Sequence, residues 1–248
     1  MRKIGILDSG LGGFSLLKDL LNDSLEIECF FISDNDNVPY GGKSQAFMLG
    51  QIKQMVDRLL LQDVEAIIIA CNTATAETIE SLRRLYTIPF IGIEPYINYL
   101  NHTTDERLAL ILTEATAESQ RFKDLSLKFD PSRQVKIYPL KSLALIIERL
   151  YEDEFVKLKE LISKELEALD FNKIDSLILG CTHYPLIKNY LENTYNIKTI
   201  DPSKFVITQL AKKLSLNKTD LKSTTFHYCR TINGEWLKKK IGDFDIFY

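Results

Sequence analysis

Cys71 and Cys181 are the residues whose setting points most directly to chemistry. Each follows a short apolar run and a small residue, in Ile67-Ile68-Ile69-Ala70-Cys71-Asn72-Thr73 and in Leu177-Ile178-Leu179-Gly180-Cys181-Thr182-His183. Each run reads as a buried strand, so each thiol is expected at a strand end and at the start of the next helix, where the helix dipole favours thiolate. A matched pair of thiols facing one another suits removal of a carbon-bound proton from one face and its return to the other. That reaction is racemisation or epimerisation, with one thiolate as base, one thiol as acid, and the roles exchanged in reverse. A free thiol has a pKa near ~8.5 and is mostly protonated at neutral pH, so each cysteine needs a neighbour that takes up its proton. Asp8 is the candidate beside Cys71, and His183 the candidate beside Cys181 once a turn brings it round. Ser9, Asn72, Thr73, Thr113, Thr116 and Thr182 offer hydroxyls and amides for a ligand carboxylate, or else act as plain helix caps. Cys29, inside an apolar run, and Cys229 read as buried small hydrophobes, His102 lies in a polar loop and His227 in a strand.

These residues need a scaffold that brings strand ends together. Short β-branched runs alternate with helical patterns: Ile4 to Leu7, Glu28 to Ile32, Ala66 to Ala70, Phe90 to Ile93, Leu108 to Leu112, Val135 to Tyr138, Ser176 to Leu179 and Lys198 to Ile200. That rhythm predicts an α/β fold with mainly parallel sheets. Apolar spacing predicts helices over Ser44 to Leu61 and Glu154 to Leu169. The two cysteine segments form a faint internal repeat, with Ile6-Leu7-Asp8-Ser9 and Ile111-Leu112-Thr113-Glu114 as corresponding first strands. We therefore expect two similar lobes, each a mainly parallel sheet flanked by helices, related by pseudo-two-fold symmetry with the active site between them. Residues 1–96 plus about 208–248 would form the first lobe and 97–207 the second. The chain would cross near Tyr96 to Asp105, with Asp201-Pro202-Ser203 a candidate for its return.

The strand ends carry no nucleotide signature. A GxGxxG frame starting at Gly10 needs glycine where Ser15 stands, and a phosphate loop ending at Gly42-Lys43-Ser44 needs glycine where Asn37 stands. Composition narrows the class further: 45% apolar and 26% charged residues describe a folded globular chain. Lys and Arg number 31 against 34 Asp and Glu, a net charge of −3, which lacks the positive field of a dedicated nucleic-acid binder. No membrane span or signal-peptide run is evident, so a cytoplasmic location is expected. The four cysteines include no CxxC pair, which argues against a zinc knuckle or a small disulfide framework.

At this point the sequence resembles the cofactor-independent glutamate racemases of the aspartate/glutamate racemase superfamily over nearly its whole length. The segments that carry the resemblance are Asp8-Ser9-Gly10-Leu11-Gly12-Gly13, Val38-Pro39-Tyr40-Gly41, Cys71-Asn72-Thr73-Ala74, Ile91-Gly92-Ile93-Glu94-Pro95, Thr113 to Thr116 with Ser119, and Gly180-Cys181-Thr182-His183-Tyr184-Pro185-Leu186. The resemblance implies Cys71 and Cys181 as the two acid/base residues, with Asp8 and His183 as their supporters. It implies that Asp8, Ser9, Tyr40, Gly41, Asn72, Thr73, Thr182 and His183 contact glutamate, that no pyridoxal phosphate, metal or other cofactor takes part, and that the product supplies D-glutamate to peptidoglycan. A homodimer is also implied, with no nucleic-acid or membrane partner. The chain departs from the family pattern at Asn37, where arginine is usual, at Leu112, where glycine is usual, and in the stretch Tyr138 to Ala144. Glu148 is the equivalent offered for the glutamate that often supports the histidine. Two other readings stand beside glutamate racemase: a racemase for aspartate or another amino acid, and a catalytically silent amino-acid-binding homologue. The C-terminal Asp243 to Tyr248 reads as a tail packed on the body, with a partner motif as its alternative.

Overall fold

Runs that are apolar at every position become central strands, because helices cover both faces. The computed structural model describes residues 1–23, 25–218 and 225–243; most of the C-terminal tail, 244–248, lies outside them. The first half runs β1 (Arg2–Asp8), α1 (Gly13–Asn22), β2 (Ile27–Ser33), α2 (Gln45–Leu60), β3 (Ala66–Ile69), α3 (Asn72–Leu85) and β4 (Phe90–Gly92). A 3₁₀ segment, Ile97–His102, occupies the expected crossing. The second half runs β5 (Leu108–Thr113), α4 (Glu114–Glu118), α5 (Gln120–Phe129), β6 (Lys136–Leu140), α6 (Leu143–Glu148), α7 (Phe155–Glu165), β7 (Ser176–Leu179), α8 (Lys188–Tyr195) and β8 (Lys198–Ile200). Then come α9 (Ser203–Leu214), β9 (Thr225–Cys229) and β10 (Leu237–Lys240).

The strands form two sheets, in the orders β10-β9-β2-β1-β3-β4 and β6-β5-β7-β8. All pairings are parallel except that of β10 with β9. The order β2-β1-β3-β4 in one sheet is repeated as β6-β5-β7-β8 in the other. Register makes the repeat exact to the residue: Leu7 pairs Ile69 as Ile111 pairs Leu179. The next backbone bond also repeats, Ala70 N–H to Leu7 O at 2.8 Å and Gly180 N–H to Ile111 O at 2.7 Å. Both sheets reverse direction of strand order at these central pairs, and ligands of open α/β sheets collect beyond the carboxyl ends there.

Side chains divide by the two-residue period of a strand. Ile4, Ile6 and Ile68 enter an apolar cluster with Phe14 that continues into Ile111 and Leu177 of the other sheet and Leu186 in the segment after it. Leu7, Ile67 and Ile69 face the opposite way, onto Ile52, Met55 and Ile79. Leu108, Leu110 and Leu112 pack with Phe122 and Ile178 in a third cluster. The helix expected from Ser44 begins there as a cap, Ser44 Oγ accepting from Phe47 N–H at 3.2 Å.

Two expected elements shift and one strand is added. The sixth strand is Lys136–Leu140, beginning one residue and ending two residues later than the Val135 to Tyr138 run, and it includes Pro139. It is an edge strand, where a residue without an N–H costs no ladder bond. The helix expected over Glu154 to Leu169 spans Phe155–Glu165; Leu166 and Leu169 stay buried, so their apolar spacing reflects packing after the helix ends. Strand β10 was not foreseen, because Lys238-Lys239-Lys240 lacks an apolar face and instead protects an outer edge.

Candidate active site

The first group of polar residues gathers at the carboxyl ends of β1 and β3. Cys71, two residues beyond β3, is the N-cap of α3, its sulfur accepting from Ala74 N–H at 3.5 Å and lying 3.5 Å from Ser9 Oγ. Asn72 and Thr73 form the buried first turn of that helix. Asp8 is fully buried, and its Oδ2 accepts from Gly13 N–H, at the start of α1, at 2.6 Å. Its Oδ1 and both amide atoms of Asn72 are buried without a hydrogen bond to the described residues.

Electrostatics here overturn part of the expectation. Burial, followed by the charge of Asp8, pushes the Cys71 thiol well up, and the bonds from Ala74 N–H and Ser9 do not offset this. Cys71 is therefore held as a thiol, although it stands at a helix start. Burial likewise raises Asp8 to about 7, against the lowering effects of His183 and Gly13 N–H. Asp8 influences Cys71 through its field; the side chain in direct contact with the sulfur is Ser9.

The second group is built differently. Cys181 stands two residues beyond β7, but no α-helix starts there: a turn leads into the 3₁₀ segment Tyr184–Ile187, and α8 begins only at Lys188. The expected helix dipole is thus replaced by a histidine. Tyr184 N–H bonds back to Cys181 O at 3.1 Å, and this turn brings His183 Nδ1 to 3.7 Å from the Cys181 sulfur. His183 Nε2 meets Glu148 Oε2 at 2.6 Å, at the end of α6. Burial disfavours an imidazolium, yet the bonds to Cys181 and Glu148 outweigh it and hold His183 well above the ordinary histidine range.

Close backbone approach joins the two groups. A Cβ on Gly12 would lie 2.3 Å from Thr182 Oγ1 and 2.8 Å from His183 Nδ1, so only glycine fits. Ser15 Oγ donates to Thr182 O at 2.9 Å, and Thr73 Oγ1 lies 3.1 Å from Thr113 Oγ1 and 3.2 Å from Thr116 Oγ1. The two thiols interact electrostatically, as do Asp8 and His183. Cys71, Cys181, Asp8, Ser9, Asn72, Thr73, Thr182 and His183 are all buried around this junction.

Tyr40 and Gly41 sit less simply. Tyr40 is buried, but its hydroxyl donates to Asp34 Oδ2 at 2.8 Å, and Asn37 donates to the same carboxylate. Gly41 is exposed and offers backbone alone. Sequence reasoning missed Asn35 and the Leu11 N–H, both of which donate to Glu148. A faint signal for Asn35 was its place in the polar run directly after β2. The other candidates have structural settings. Cys29 is pushed up to about 12 by burial, Cys229 donates to Thr231 O at 3.0 Å, and His227 stacks on Phe30 and meets Glu28. His102 lies at the end of the 3₁₀ segment and pairs with Asn98. Among the described residues no group of three or more His, Cys, Asp or Glu could hold a metal ion. No helix among them is long and apolar enough to cross a membrane.

A model of the Asp/Glu/Hydantoin racemase family matches residues 22–210. The chain belongs to this family. As an Asp/Glu/hydantoin racemase family member it is an isomerase, and its parallel sheets flanked by helices match the α/β fold of solved glutamate racemases. The chain is 36% identical to a glutamate racemase of Fusobacterium nucleatum, over 87% of this chain and 83% of that one. It is 34% identical to glutamate racemase 2 of Bacillus subtilis, over 86% and 82%. The solved glutamate racemase of Francisella tularensis, in complex with D-glutamate, is similar with a TM-score of 0.71 and 32% identity, covering 88% of this chain and 84% of that one.

Proposed function

We propose that this family member interconverts L- and D-glutamate by proton transfer between its α-carbon and the Cys71 and Cys181 thiols. One observation carries the reading: the two sulfurs stand at equivalent register positions of two repeated sheets, each with a different proton-handling neighbour. The names of the relatives supply the substrate.

The two environments suit opposite tasks. Cys181 passes its proton to His183, and the resulting thiolate removes the α-hydrogen from one face of glutamate. Cys71, kept protonated by burial and by Asp8, delivers its proton to the other face of the planar carbanion. The cycle leaves Cys181 protonated and Cys71 as thiolate, the state that runs the reverse reaction. Protons balance among protein groups, so the scheme calls for no cofactor. Asn72, Thr73, Thr182 and Ser9 bind carboxylate oxygens, aided by N–H groups at the start of α3, while Tyr40 and Gly41 contribute backbone. Asp8, at about 7, holds or releases a proton beside Cys71 near neutral pH.

In this reading the first lobe holds Asp8 and Cys71, the second Cys181 and His183. A boundary at residue 208 would cut α9, which packs on α1 and β4, so the return is better drawn at Asp201-Pro202. Supply of D-glutamate for peptidoglycan, a cytoplasmic site of action and a homodimer complete the proposal.

The test is optical rotation of L-glutamate, D-glutamate and both aspartate enantiomers with purified protein. Rotation of either glutamate enantiomer should decay to zero, because the equilibrium constant between enantiomers is unity. Turnover of aspartate alone would move the assignment to a different amino-acid racemase; glutamate binding without turnover would make the protein an amino-acid-binding homologue.

A further inference from the structure

Glu148 fixes His183, but what fixes Glu148 comes from the other half of the molecule. Its Oε2 accepts from Leu11 N–H at 2.9 Å and its Oε1 from Asn35 Nδ2 at 3.0 Å. Leu11 lies in the loop after β1 and Asn35 in the loop after β2, whereas Glu148, His183 and Cys181 all belong with the four-stranded sheet. Asn35 is held in turn: Ser33 Oγ donates to its Oδ1, and Tyr228 OH lies 2.9 Å from Ser33 Oγ. With its carbonyl occupied by Ser33, the amide must present its NH₂ to the carboxylate. The Glu148 and His183 side chains are only 11% and 4% exposed, so water does not substitute for these bonds.

We infer that Asn35 is a positioning residue: it fixes the Glu148 carboxylate against His183 Nε2 and thereby sets His183 to take the proton of Cys181, from across the junction between the sheets. A hydrogen-bonded carboxylate orients an imidazole and selects its tautomer, and an unsupported one does so poorly. Cys71 has no such dependence, since Ser9, Ala74 N–H and Asp8 lie on its own sheet. Apposition of the two sheets thus supplies the hydrogen-bond support of one thiol, while that of the other lies within its own sheet.

This inference rests on the racemase reading for its kinetic arm and on spectroscopy for an arm independent of turnover. Asn35→Asp keeps the side chain's shape but turns a donor into an acceptor facing an acceptor. Among the described residues His183 faces Glu148 directly and Asp8 at longer range, and the Tyr228 hydroxyl lies 3.5 Å from Asn35 Oδ1 with Asp34 and Asp36 flanking it in the chain; none of these is altered. With both carboxylates ionised the two repel, while at lower pH one shared proton restores a donor between them. The ratio of Asn35→Asp to wild-type kcat should therefore rise as pH falls. Asn35→Ala should lose about 10- to 100-fold in kcat at every pH, the range typical of a lost outer hydrogen bond, with KM changed less than about threefold. In ¹⁵N-histidine-labelled protein, the far-downfield proton of His183 Nε2–H, identified by its loss in Glu148→Ala, should move upfield or broaden in both Asn35 variants. A pH-independent Asn35→Asp ratio, or an unmoved His183 signal in folded Asn35→Ala, would overturn the inference. A wild type inactive on glutamate would instead sink the racemase reading, and the histidine signal would still decide the role of Asn35.

Discussion

A thiol two residues beyond a central strand is an ordinary feature; what gives Cys71 and Cys181 their meaning is the unlike chemistry around each. Replacing either by serine leaves a hydroxyl of far higher proton affinity, and racemisation should fall by about 10²- to 10⁴-fold while circular dichroism stays unchanged. Asp8 gives a prediction with a sign. Its folded pKa lies at about 7 against an ordinary 3.8, so the folded chain holds this proton more tightly than the unfolded one. The associated stability is fully present below about pH 4 and is lost as pH rises through about 7, a cost of up to about 4 kcal/mol. Asp8→Asn should then melt higher than wild type at about pH 8 and equally near about pH 4, while turning over glutamate slowly. Equal melting at both values would contradict a buried, strained carboxylate. At this scale the sequence was partly legible. The repeated pattern singled out both cysteines, and local spacing found His183. Asn35 stayed hidden because its contact with Glu148 spans 113 residues, and the helix dipole argued for thiolate at Cys71 where burial prevails.

The elements explain why glycine and serine occur where they do in the loop between β1 and α1. That loop runs directly under Thr182 and His183, so its geometry is part of the second thiol's support. Gly12→Ala would drive a Cβ to within 2.3 Å of Thr182 Oγ1. It should cost about 1–3 kcal/mol of stability and displace His183 from Cys181. Gly41→Ala is its control, because nothing lies within 4 Å of a Cβ there. Chemical denaturation of the two variants separates them; equal stability would mean the loop is not pinned. Continuous apolar runs predicted the central strands well, since burial on both faces leaves few alternatives. Edge elements were read poorly: Pro139 in β6 and the lysines of β10 obey the needs of an edge and carry no apolar alternation.

Over the whole molecule, the two sheets share an apolar cluster and also meet through polar contacts at the site: Thr73 with Thr113 and Thr116, Ser15 with Thr182, and Glu148 with Leu11 and Asn35, Thr73 and Thr182 being among the residues proposed to bind substrate. A ligand held between them should stabilise both halves together. At about 100 times its dissociation constant, glutamate should add about 2.7 kcal/mol and raise the melting temperature by roughly 5–10 °C. Aspartate at the same concentration should shift it less, and a larger shift with aspartate would reassign the substrate. The two-sheet plan was legible from the repeat of strand, small residue and cysteine; the route by which one sheet orients the other's histidine required the fold.

The claim on which the account turns is that separate groups remove and return the α-hydrogen. Proton NMR of L-glutamate incubated with the protein in deuterated water tests it directly. Early in the reaction, newly formed D-glutamate should carry deuterium at the α-carbon while the remaining L-glutamate keeps its protium. Product that retains the substrate's own α-proton, or deuterium that enters L-glutamate faster than D-glutamate forms, would mean that one group serves both faces and would contradict the paired-thiol mechanism.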